Sequence, residues 1–125
     1  MTRAARAAFS LFAMALFIAT HWPALKVEGP VQRTDLWVHL GAFGLWTTLL
    51  TACGFLGRPL APRNILLSAA LATLYAGLDE GLQAIPALQR TFGWDDLAAD
   101  VLGVWLASVL LLALGFARRP RTSAP

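Results

Sequence analysis

At 125 residues, 58% hydrophobic and only 14% charged, the chain is too apolar for an ordinary soluble domain and long enough for one compact bundle. A formal charge of +3 and a pI of about 10.0 would suit a nucleic-acid binder. The ten basic residues instead cluster at segment ends, with no basic helix face and no aromatic-basic alternation, which argues against nucleic acid.

Arg3 and Arg6 precede an apolar run over 7–20, followed by His21-Trp22-Pro23. No clean A-x-A site follows and three further apolar segments come behind it, so the run reads as a retained transmembrane helix rather than a cleaved signal. Residues 23–34 form a polar loop with turn signals at Pro23, Gly29 and Pro30. The run over 36–56 has the roughly 20 residues needed to cross a bilayer core, and it holds His39, Cys53 and the small residues Gly41, Ala42 and Gly44. Cys53 has no partner in the chain, which excludes an intrachain disulfide and any cysteine-type metal spacing. Gly57-Arg58-Pro59 and Ala61-Pro62-Arg63-Asn64 then make a tight basic break. Apolar runs over 65–82 and 97–116 complete the set. The expectation is one all-α domain over 1–125, an integral membrane four-helix bundle with helices near 5–22, 36–56, 65–83 and 97–117 and a cytoplasmic tail over 118–125.

Four spans place both termini on one side. Arg3, Arg6, Arg58, Arg63, Arg118, Arg119 and Arg121 fall on that side, against Lys26, Arg33 and Arg90 on the other, so the positive-inside rule puts both termini in the cytoplasm. Every acid (Glu28, Asp35, Asp79, Glu80, Asp95, Asp96 and Asp100) maps to the outer half, where Trp22, Trp37 and Trp94 would form an aromatic belt.

Counting 1.5 Å per residue from the cytoplasmic ends puts His39, Asp79 and Asp100 at roughly 27, 22 and 27 Å, one common layer near the outer boundary. Ionisable groups at that depth are costly and point to a site. Asp35 and His39 are four apart, as are Tyr75 and Asp79, Asp79 and Gln83, and Asp96 and Asp100, so each pair shares a helix face. Asp35 is therefore expected to orient His39 as acid-base group or ligand, with Asp79, Glu80 and Asp100 as base or divalent-cation ligands. Arg90 would meet a phosphate or carboxylate, and Asp35, Gln83 and Asp96 would complete the binding set. Plainer roles compete: Asp95 or Asp96 as the cap of the fourth helix, Gln83 and Tyr75 as interhelical ties, Trp46 and Trp105 as packing, and His21 as an interfacial residue.

Taken in order, Asp35-x-x-x-His39, Asp79-Glu80-x-x-Gln83, Arg90 and Asp96-x-x-x-Asp100-x-x-Gly103 resemble the VanZ-like family of small bacterial membrane proteins. Two positions depart from the family pattern: Leu36 where Lys is usual and Asp100 where Asn is common, the second making the site more acidic. The resemblance implies a multi-pass protein of the bacterial plasma membrane and, for the founding type, a link to low-level resistance to the glycopeptide teicoplanin. It implies no settled reaction. The leading expectation is a site that binds or modifies an envelope lipid or lipid-linked cell-wall precursor, with a divalent cation as the candidate cofactor. The alternatives are a non-enzymatic accessory or binding protein and, with less support, a proton-coupled carrier subunit. No Ser or Cys nucleophile stands at a recognisable spacing, which disfavours covalent catalysis.

Overall fold

The computed structural model describes residues 2–27 and 29–118. Glu28, the Arg119 and Arg121 of the basic cluster and the tail beyond Arg118 lie outside the described residues. The described chain is all-helical: α1 (Thr2–Thr20), α2 (Thr34–Cys53), α3 (Pro62–Gln83), a single 3-10 turn over Pro86–Leu88, and α4 (Trp94–Ala117). All four long helices are long and apolar enough to cross a membrane.

The helix ends follow from local chemistry. Gly54 stops α2 in the left-handed conformation at φ 65°, giving its N–H to Thr51 O, and Pro62 sits in the first turn of α3, where no amide donor is needed. The second helix therefore ends at Cys53 and not near 56, while the third and fourth each begin one turn before the expected residue. Neither Asp95 nor Asp96 caps α4. Gly93 is its N-cap, without a side-chain cap, and both acids lie in the first turn, where the positive end of the helix dipole favours them.

Small residues set the packing. The α2 and α4 backbones meet at Gly44 and Gly103: a Cβ on Gly44 would stand 3.2 Å from Gly103 O, and one on Gly103 would run into Leu40 O. The apolar core, Phe43, Trp46, Leu50, Ala69, Ala72, Ala76 and Val104, is thin. Trp46 stacks on Tyr75 with ring centroids 5.2 Å apart and makes a T-shaped contact with Phe9 at 5.0 Å. Trp105, expected to pack, is instead 44% exposed on α4. Many of the largest apolar side chains, among them Leu11, Leu74, Leu78, Val109 and Leu110, face outward, whereas Asp79, Glu80, Gln83 and Asp100 are fully buried. Apolar outside and polar inside is the arrangement a hydrocarbon solvent favours.

Candidate functional site

The polar interior lies at one end of the bundle and is built from all four helices. His39 on α2 meets Asp100 on α4, with Nδ1 2.9 Å from Asp100 Oδ1. Glu80 on α3 completes a trio in which one candidate ligand atom from each residue lies within 4.8 Å of the others. Glu80 is itself positioned by two donors: Gln83 Nε2 reaches Oε1 at 3.1 Å and the Gly93 amide reaches Oε2 at 3.0 Å. A carboxylate of α3 thus serves the N-terminus of α4, the task expected of Asp95 or Asp96.

Asp79 is turned toward α1. Its Oδ1 accepts from Thr20 Oγ1 at 2.9 Å and from the Tyr75 hydroxyl at 3.3 Å, its Oδ2 accepts from Gln83 Nε2 at 3.2 Å, and His21 Nδ1 stands 3.7 Å from Oδ1. Three donors and a neighbouring imidazole satisfy this buried acid, so it anchors helices more than it offers free ligand atoms. Of the four residues expected to share one centre, His39, Glu80 and Asp100 converge, and Asp79 lies beside them, turned toward α1 and bridged to Glu80 by Gln83 Nε2.

The carboxylate that meets His39 is Asp100 and not Asp35. The i, i+4 spacing put Asp35 on the face of His39, but no hydrogen bond joins them among the described residues. Both line a cavity of about 600 Å³ above the cluster, together with Lys26, Arg33, Arg90 and Asp96. Arg90 is also tied by Nη1 to Leu25 O at 3.4 Å, and the Ala24 amide reaches Leu88 O at 3.1 Å, lacing the two loops at this end together. Arg33 pairs with Asp95 at 2.9 Å on the surface, and that carboxylate raises the guanidinium pKa above its ordinary value. An apolar groove of about 490 Å³ between α2 and α4, lined by Leu36, Trp37, Leu40 and Leu102, shares Arg33 and so adjoins the basic mouth. A narrower crevice between α1 and α2 touches Leu16, Val38, Phe43, His39 and Arg90.

Thr20, His21 and the Gly93 amide are participants that sequence reasoning did not place in the site. The signal available for the first two was their position at the C-terminal end of α1, level with the acids. For the amide there was none, because any residue but proline carries the same donor.

Chemically, a neutral His39 that donates Nδ1–H to Asp100 keeps its lone pair on Nε2, ready to accept a proton or a ligand. The guanidinium and ammonium groups at the mouth suit an anionic headgroup, and the trio below could hold a cation. Comparison with protein-family models, curated proteins and solved structures returns no match for this chain.

Proposed function

We propose that the chain spans the bacterial plasma membrane with both termini in the cytoplasm, as a VanZ-like protein. Its polar end faces outward and binds or modifies an envelope amphiphile with an anionic headgroup, such as a phospholipid or lipid-linked cell-wall precursor. One observation carries this reading. A cavity of about 600 Å³ lined by three cations, Lys26, Arg33 and Arg90, against two carboxylates, Asp35 and Asp96, opens onto His39, at the end of four helices long and apolar enough to cross a membrane. The cations take the headgroup, the groove between α2 and α4 accommodates the hydrocarbon, and His39, held by Asp100, is the acid-base group or the ligand of a cation that meets the headgroup. In the founding type of the resembled family, such a role would act on the envelope that teicoplanin targets.

The test is binding in nanodiscs, comparing a lipid phosphomonoester such as phosphatidic acid with zwitterionic phosphatidylcholine. Saturable preference for the phosphomonoester, weakened about tenfold by Arg90→Ala as expected for one charge-assisted hydrogen bond, is the predicted result. No headgroup preference, or full affinity in Arg90→Ala, would overturn the reading. A His39→Ala protein that still binds but no longer converts a lipid substrate would separate chemistry from binding. Unchanged behaviour of that variant in every assay would favour an accessory role.

A further inference from the structure

Three carboxylates at this end, those of Asp79, Glu80 and Asp100, have no exposed surface. Buried ionised acids are tolerated when paired, hydrogen-bonded or bound to a metal, and the three differ in how far that condition is met. Asp79 has three hydrogen-bond donors. Glu80 has one donor on each oxygen, which leaves a second lone-pair direction on both. Asp100 has His39 on Oδ1, and its buried Oδ2 has no hydrogen-bond partner among the described residues. The least satisfied of the three thus belongs to the one trio, among the described residues, whose candidate ligand atoms lie within 4.8 Å of each other.

We infer that His39, Glu80 and Asp100 bind a divalent transition-metal ion of the zinc or manganese class. Two carboxylates and a neutral imidazole bring a charge of −2, which such an ion cancels. One nitrogen and two oxygen donors, without thiolate, suit zinc and manganese and disfavour copper(I). Ligands about 2.1 Å from an ion lie about 3 to 4 Å from one another, so closing the trio needs side-chain movement of only about an ångström. Three protein ligands leave open positions, as in catalytic sites, and His39 lines the cavity through which a headgroup oxygen would reach the ion. The ligand set is narrower than the four residues the sequence nominates, because Asp79 is held by Thr20, Tyr75 and Gln83. This inference deepens the proposed function, for the ion would sit where the anionic headgroup is received, but it is tested without any lipid substrate.

The experiment uses the full chain, purified in detergent, treated with chelator and titrated with Mn²⁺ alone while free Mn²⁺ is followed by electron paramagnetic resonance. Zn²⁺ is then added as competitor. One saturable Mn²⁺ per chain, displaced by Zn²⁺, is expected. Asp100→Asn and Glu80→Gln keep side-chain shape and should each weaken binding at least tenfold, with folding checked by circular dichroism. Asp95→Asn removes the same charge from the surface and should bind like the parent. Absence of saturable binding in the folded parent overturns the inference, and so does equal loss in Asp95→Asn or full affinity in whichever of the two ligand variants folds. Phosphatidic acid binding that survives such a failure would leave the lipid reading standing.

Discussion

Gly103→Ala sets two ordinary expectations against each other. In a helix interior, alanine is favoured over glycine by about 1 kcal/mol on propensity alone. At Gly103, however, an added Cβ would lie 2.9 Å from Leu40 C and 3.1 Å from Leu40 Cα, with Leu40 O closer still, where ordinary contact begins at 3.4 Å. The obstacle is backbone, which cannot rotate away, so α2 and α4 must separate by at least about half an ångström. Overpacking costs about 1–3 kcal/mol, a backbone obstacle belongs in the upper part of that range at about 2–3 kcal/mol, and after the propensity gain a net loss of about 1–2 kcal/mol is expected. The same separation acts on the site, because Leu40 follows His39 directly and Gly103 lies one turn beyond Asp100. The 2.9 Å His39–Asp100 bond would stretch toward the limit of hydrogen bonding. The assay is reversible unfolding in mixed micelles by SDS titration, with Gly77→Ala as control, since a Cβ there meets nothing within 4 Å. Gly77→Ala should be neutral or gain up to about 1 kcal/mol. A Gly103→Ala protein as stable as the parent, or one that gains as the control does, would show that the helices do not approach as described.

Asp79→Ala should lose about 2–5 kcal/mol in the same titration, because it leaves the donors of Thr20, Tyr75 and Gln83 without their buried acceptor, whereas Tyr75→Phe should lose only about 0.5–1.5 kcal/mol. Asn64→Ala removes the bond from Asn64 Nδ2 to Thr51 O, which joins the start of α3 to the end of α2. Since Thr51 O keeps the Gly54 amide, the expected loss is only about 1 kcal/mol. Arg33→Ala breaks an exposed ion pair and should leave the unfolding midpoint unchanged while weakening phosphatidic acid binding in nanodiscs; the reverse pattern would assign Arg33 to structure.

The helix count was legible because runs of about 20 apolar residues are punctuated by Gly and Pro. The residues of the trio were legible because His39, Glu80 and Asp100 stand out against lipid-like surroundings. Their partnerships were not. Spacing along one helix made Asp35 the natural companion of His39, but which carboxylate arrives from another helix depends on rotation about the helix axes and on how near the backbones come. Gly44 and Gly103 decide that nearness, and a glycine reads the same in sequence whether it meets a neighbouring carbonyl, as Gly103 does, or open space, as Gly77 does. The cap of α4 was misread for a related reason: a local rule nominated Asp95 or Asp96, and Glu80, 13 positions earlier than Gly93, reaches the Gly93 amide through the fold. His21 looked interfacial because nothing in α1 shows that its end turns toward Asp79.

If the proposed amphiphile enters through the crevice between α1 and α2 and not through the groove between α2 and α4, a kinetic consequence follows. Its wall is hydrocarbon at Leu16, Val38 and Phe43, and it ends at His39 and Arg90. An amphiphile arriving by that route would slide in sideways from its own leaflet without passing through water. Its encounter rate would then follow its mole fraction in the bilayer, and diluting it with inert lipid at fixed bulk concentration would slow capture in proportion. A water-soluble analogue bearing the same headgroup would have to enter through the loops instead and would be indifferent to that dilution.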